Sequence, residues 1–207
     1  MESKKGKKTM INKPYDFDTA KATGDFTPLE PGGYICTIVS VEETMSKTGK
    51  QMIKINLDIA EGNEKGRFSE SFRNDMRTPK KWPISGTVWL LISNQEGKTH
   101  GRFKKFTNSV VESNNNFEIV WGASFCKCFK GKLVGVLFGK EEYMNQDGEL
   151  KWNCKPKYFE STLKIRSGEF KIPADKPYEQ SVKNNQQNES IQPPDGFAAI
   201  DDEDIPF

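Results

Sequence analysis

Residues 52–59 read MIKINLDI, in which Ile53, Ile55, Leu57 and Ile59 alternate with Met52, Lys54, Asn56 and Asp58. A strict period of two puts the aliphatic chains on one face of an extended strand and the mixed polar set on the other. The stretch therefore predicts a half-buried β-strand with its polar face outward. Upstream, Tyr34 to Val41 (YICTIVSV) is rich in β-branched and aromatic residues and predicts a second strand. Between them SKTGK (46–50) supplies a reversal, with Gly49 at a positive φ, so the two strands make a hairpin. Downstream, Glu61 to Gly66 turns the chain, and Arg67 to Arg73 (RFSESFR) is expected to be a third strand. Thr87 to Ile92 (TVWLLI) is a buried strand or part of a helix, too short for periodicity to decide. Phe103, Phe106, Val110 and Val111 fall at helical spacing, predicting one helix over 101–113 that Asn114 to Asn116 would end. Leu133 to Tyr143 and Leu150 to Glu160 read as strands joined by NQDG (145–148) with its hairpin-type Asp-Gly. The expected fold is mainly β: one OB-fold-like five-stranded barrel with one short helix and disordered N- and C-terminal tails.

Composition sets the domain limits. Residues 1–28 read as a basic flexible arm and lead-in, 29–173 as the folded domain, 174–200 as a linker of Asn, Gln, Ser, Pro, Lys and Glu, and 201–207 as an acidic tip. The linker has too few apolar groups to offset the entropy of ordering its backbone. The net charge of +2 conceals an asymmetry: residues 179–207 hold seven acids and one base, leaving 30 bases and 22 acids in the rest, a net of +8. A basic body tethered to an acidic tail suits a polyanion-binding surface, although a charge run also serves simply as a solvated face. No window has the apolar length of a membrane span, and MESKKGKK lacks the apolar core of a signal peptide, so a cytoplasmic location is expected.

The end of the chain reads DDEDIPF. Asp201, Asp202, Glu203 and Asp204 precede Ile205, Pro206 and Phe207. As a peptide ligand, Ile205 and Phe207 would fill an apolar pocket while the acids steer toward basic surfaces. This tip resembles the C-terminal peptide of bacterial single-stranded DNA-binding proteins, which in that family docks onto helicases, nucleases, primosome and recombination proteins. The body, through PGGYICTIVSVEETMSKTGKQMIKINLDIAEGNEKGR (31–67), GRFKKF (101–106), FKGKLVGVLFGKEEY (129–143) and KYFESTLKIRSGEF (157–170), is similar to bacteriophage proteins catalogued as a domain of unknown function. Some of those are recognised as single-stranded DNA-binding. The resemblance implies a non-catalytic protein of a bacterial host cytoplasm that coats single strands in phage replication, recombination and repair. It also implies that the tip recruits partner proteins. The body does not follow the cellular tetrameric family in detail, so a homo-oligomer is admissible without being inherited.

Unpaired nucleic acid is gripped by basic groups that track phosphates and by rings on which bases stack. Lys54, Arg67, Phe68, Phe72, Arg73, Lys80, Lys81, Trp82, Tyr143, Lys151, Trp152, Lys155, Lys157 and Tyr158 are the candidates, each ring having a place in the core as its alternative. The lysines Lys4, Lys5, Lys7 and Lys8 of the arm would add phosphate contacts. Nothing here reads the 2′-hydroxyl, so RNA is an admissible ligand beside DNA.

Cys126, Cys128, Cys154 and the single histidine, His100, are the only set resembling zinc ligands. One residue, Lys127, separates the first pair, where structural zinc sites favour two or more, so no metal and no cofactor are expected. The four cysteines, Cys36 included, are expected to be reduced thiols. Gly49-Lys50 and Gly131-Lys132 lack the remainder of a P-loop. A catalytic triad is hard to assemble with one histidine. A strand-annealing or recombination-mediator protein is the alternative function, and a metal-dependent nuclease a more distant one.

Overall fold

A computed structural model describes residues 12–15, 17–18, 27–94 and 96–178. The first hairpin forms as expected, from β1 (Gly32–Met45) and β2 (Gln51–Ile59), closed by a turn in which the Gly49 amide donates to the Ser46 carbonyl at 3.0 Å with Gly49 at φ 79°. Then follow α1 (Arg67–Arg73), β3 (Thr87–Leu91), α2 (Gly101–Ser113), α3 (Phe125–Cys128), β4 (Leu133–Met144), β5 (Leu150–Glu160) and α4 (Thr162–Ser167). The five strands make one antiparallel sheet in the order β3-β2-β1-β4-β5. β1 is shared between its two halves: residues 32–37 pair with β4, and residues 36–45 pair with β2.

The expected barrel is corrected to an open sheet, with β3 and β5 as its edges among the described residues. Its apolar face is covered by a helix instead: α2 packs on β3, β4 and β5 and drives Phe103, Phe106 and Val110 into the core. There they meet Ile53, Ile55, Leu57, Val88, Leu90, Val136, Phe138 and Phe159. Pro156 lies in β5 beside a bulge at Leu137/Phe138, the kind of place a strand tolerates a residue without an N–H.

The sequence reading needs three further corrections. RFSESFR is helix α1: Phe68 and Phe72 are four residues apart, a spacing that shares a helical face, and Gly66 enters the helix in the left-handed region at φ 78°. The one expected helix, over 101–113, is present, but the described residues contain four α-helices. The polar face of β2 does not look outward freely, since Met52, Asn56 and Asp58 are buried. Asp58 accepts from the Phe68 amide at 2.9 Å and from the Ser69 hydroxyl, so this carboxylate fastens α1 to the sheet.

Helix α4 and the residues after it cross the outer face of β1 and β4. Two glycines permit that approach: a Cβ on Gly135 would stand 2.5 Å from the Ile165 side chain, and one on Gly33 would stand 2.6 Å from Phe170. Lys176 then bridges to Glu141, its amide donating to the Lys140 carbonyl at 3.0 Å and its carbonyl accepting from Glu142 at 2.9 Å. Residues 174–178, assigned to the linker from sequence, thus lie along β4. Residues 1–11, 16 and 19–26 of the arm and lead-in (1–28), the remainder of the linker and the tip lie outside the described residues. No helix among the described residues is long and apolar enough to cross a membrane.

Candidate nucleic-acid interface

Directly opposed residues of neighbouring strands point to the same side of a sheet. On the side away from the core, β1, β2 and β3 therefore carry three rows, Ser40/Asn56/Thr87, Glu42/Lys54/Trp89 and Thr44/Met52/Leu91, of which Asn56, Thr87, Met52 and Leu91 are buried. The first row is tied together, the Asn56 amide donating to Ser40 Oγ at 3.0 Å and the Thr87 hydroxyl to Asn56 Oδ1 at 3.2 Å. In the second, Lys54 and Trp89 are half-buried cross-strand neighbours, and Lys54 forms no ion pair among the described residues. Trp89 was missed by the sequence reading because TVWLLI looks uniformly apolar. Once Val88 and Leu90 enter the core, alternation sends the intervening ring to the other face.

The second basic group lies on β4 and β5. Glu141, largely covered, collects three ammonium groups: Lys157 Nζ at 2.6 Å, Lys176 at 3.4 Å and Lys155 at 3.9 Å. Burial works against the charge of Glu141, but the hydrogen bond from Lys157 and the three cations outweigh it and hold the carboxyl below its usual range. Lys157 is pushed below the ordinary lysine range, by burial first, with the fields of Lys155 and Lys176 adding to it against the attraction of Glu141. Three cations on one anion leave a positive surplus of the kind that a phosphate oxygen would relieve. Lys176 enters this cluster from far along the chain, and no local pattern marks it.

The other candidates of this hairpin divide between its faces. Tyr143 opposes Lys151, Gly139 opposes Lys155 and Leu137 opposes Tyr158, all on the face that carries Glu141. Trp152 opposes Glu142, and Leu150 opposes Met144, on the reverse face. Tyr143, Trp152 and Tyr158 are all exposed, at 39%, 47% and 45%. Trp152 is thus not brought together with Tyr143 and Lys151, despite following Lys151 in the chain.

Four candidates have structural work. Phe68 is in the core, stacked on Phe138 at 6.1 Å between centroids, which removes it as a base-stacking ring. Arg67 is held by Glu64 and by the Thr27 carbonyl. Trp82 donates its indole N–H to the Leu57 carbonyl at 3.1 Å and packs on Phe72 at 5.3 Å, so neither ring is a free platform. Arg73, at the end of α1, and Lys80 and Lys81, on the loop after it, are exposed, and Lys80 Nζ donates to the Arg73 carbonyl. Asp75 organises that loop, accepting from the Lys81 amide at 2.8 Å and from Arg77 Nε at 2.8 Å. Arg77, passed over in sequence, adds a fourth cation to it.

Among the described residues no three His, Cys, Asp or Glu side chains are grouped to hold a metal ion. His100 caps α2 instead, its Nδ1 accepting from the Arg102 amide at 3.3 Å. The Cys128 thiol donates to the Phe125 carbonyl at 3.0 Å, while Cys36 and Cys154 are buried, Cys154 with its pKa raised by burial to about 11. The tip residues Asp201 to Phe207 lie outside the described residues.

Compared with known families, residues 15–76 match one described as a protein of unknown function, DUF669. The match takes in the lead-in, the β1–β2 hairpin and α1 and covers less than a third of the chain. No match is found among curated proteins.

Proposed function

We propose that this protein binds single-stranded nucleic acid, DNA foremost, through the outer face of an OB-type open sheet, and that it acts by coating strands rather than by catalysis. The OB-type assignment is supported by the strand order, by a β1 shared between two halves, and by a helix inserted between β3 and β4. Folds of that type are partly open five-stranded barrels that use the face of strands 2 and 3, with the β1–β2 and β4–β5 loops, for oligonucleotides. The observation that carries the reading is the pairing of cations with rings on the side of the sheet away from the core, Lys54 beside Trp89 on β2 and β3 and Lys151 beside Tyr143 on β5 and β4, with the lysine surplus around Glu141. Lysines track phosphates and release counterions, and rings accept any base, so the expected binding is salt-sensitive and sequence-tolerant.

In this reading the protein works in a bacterial cytoplasm during phage replication, recombination or repair, and the Asp201 to Phe207 tip recruits partner enzymes. The test is a titration with oligo-dT, the matching duplex and oligo-U over a salt series, followed by tryptophan quenching. Preference for oligo-dT over duplex, with affinity falling as salt rises, is the expected result. Absence of binding to oligo-dT in dilute buffer overturns the proposal, and stronger binding to oligo-U would reassign the ligand to RNA.

A further inference from the structure

Trp121 is 66% exposed, within an exposed run over 120–124 that leads into the buried Phe125. Its ring lies nearly parallel to that of Phe125, at 19° and 5.1 Å between centroids. Phe125 in turn meets Phe129 at 5.0 Å, and Phe129 meets Phe106 at 5.2 Å, so a ladder of rings runs from the surface into the core. One face of the indole is thereby fixed on Phe125 and the ring remains open to solvent. A rigid ring with an open π-face is the geometry that receives a nucleobase at little cost in side-chain entropy.

Trp121 precedes α3, and α3 packs on β1, whose partner β2 carries Lys54 beside Trp89. Beyond Thr37, β1 has no strand on the side away from β2 among the described residues; that edge is taken by α3 and the turn after it. The Ile38 amide donates to the Lys132 carbonyl at 2.9 Å, and Gly131 donates back to the Ile38 carbonyl at 2.8 Å. Further along, α3 stays packed on β1. The row Trp89, Lys54, Glu42 therefore runs across β3, β2 and β1 toward α3. Trp121 stacks on a ring of the core cluster while Trp89 faces away from the core. A single strand that reaches both must therefore pass round the β1–α3 edge, a path of at least roughly 20 Å from two strand spacings and one packing distance. Lys127 and Lys130 are exposed here, but Glu42 and Glu43 are exposed at the same edge, so charge nearly cancels and stacking must supply the affinity.

We infer that Trp121 is a second base-stacking platform, and that a single strand long enough to cross from Trp89 engages both; this rests on the nucleic-acid-binding reading above. The test compares the full chain with W121L, which keeps an apolar side chain without a π-face, and W121F, which restores a ring. Each is titrated with labelled oligo-dT of about 4 and about 16 nucleotides, the limits of the site sizes of such folds. W121L should weaken the long oligonucleotide about 5- to 150-fold, the range for one lost stack, and W121F should recover most of it. The slope of affinity against salt should not change, because no phosphate contact is removed. The short oligonucleotide should bind both proteins alike.

A second measurement guards against misfolding. In W152F the most exposed tryptophan left among the described residues is Trp121, and the long oligonucleotide should shield it from acrylamide while the short one should not. Unchanged long-strand affinity in W121L, or no shielding in W152F, overturns this inference alone. Failure of the unaltered chain to bind either oligonucleotide overturns the nucleic-acid reading together with it.

Discussion

Replacing Glu141 by Gln keeps the size of the side chain and removes the one anion among three ammonium groups at 2.6, 3.4 and 3.9 Å. Two opposite effects follow. Stability should fall, since a charge-assisted hydrogen bond contributes about 1.5–3 kcal/mol. Lys155, Lys176 and Lys157 retain 35%, 34% and 21% of their side-chain exposure, so solvent screening puts the loss nearer about 1–2 kcal/mol. Binding should tighten, because the cluster goes from three cations and one anion to three cations. One unit charge about 4 Å from a phosphate in water is worth about 1 kcal/mol, roughly fivefold, and should steepen the salt slope by about 0.7. The pH dependence follows from the sign of the shift. Glu141 is held below its usual pKa in the fold, so its stabilisation is present above the unfolded value of about 4.3 and is lost as pH falls through the folded one. E141Q should therefore have a shallower acid limb. Urea midpoints across pH and oligo-dT titrations across salt measure both effects on one preparation. A variant that is less stable yet binds with unchanged affinity and slope would remove Lys155, Lys157 and Lys176 from the interface.

Other substitutions separate cations, rings and core. W89L should cost about 5- to 150-fold in oligo-dT affinity with an unchanged salt slope, whereas K54Q should reduce the slope by about 0.7; the converse pattern would exchange their roles. F68A should lower stability by about 3–5 kcal/mol in urea melts, because Phe68 packs on Phe138 in the core, and its DNA affinity should be normal wherever the protein remains folded. His100 is held neutral, its pKa lowered by burial first and then by the charge of Arg102. Its capping contribution is therefore complete above the unfolded pKa of about 6.5 and declines as pH falls through the folded value. H100A should lose about 1 kcal/mol at neutral pH, while H100N should keep the cap and flatten that decline in thermal melts.

Sequence alone reached the elements whose period is unambiguous. MIKINLDI, the Asp-Gly hairpin and the Phe103/Phe106/Val110 spacing each became the element they predict, and β5 kept its bounds from Leu150 to Glu160. RFSESFR failed because Phe68 and Phe72 satisfy both a two-residue and a four-residue spacing, and what decided between them, Asp58 accepting from Phe68, lies ten residues away. Closure of the barrel also lay beyond local pattern, although Pro156 marks β5 as an edge or a bulge. For the site, Lys54 was legible from alternation, but Lys176 joins Glu141 only after the chain has turned back along β4, and the separation of Trp152 from Tyr143 needs the register.

The rings sort by chemistry in a way that their positions in the chain do not show. Phe68, Phe103, Phe106, Phe125, Phe129, Phe138 and Phe159 are buried, while Trp121, Tyr143, Trp152 and Tyr158 are exposed and Trp89 is half-buried. Phenylalanine has no polar atom to satisfy and gains most from complete burial. Indole and phenol carry a hydrogen-bonding group that favours the boundary with water, unless a partner waits inside as Leu57 does for Trp82. Within the sheet and the helices packed on it, the exposed rings are therefore tryptophan and tyrosine, whereas Phe17 of the lead-in is exposed outside them. If the proposed nucleic-acid binding holds, the division of rings favours the sheet face of Trp89 and Lys54 and the β4–β5 face of Tyr143, Tyr158 and the lysines gathered at Glu141 over α1, where Phe68 and Phe72 lie.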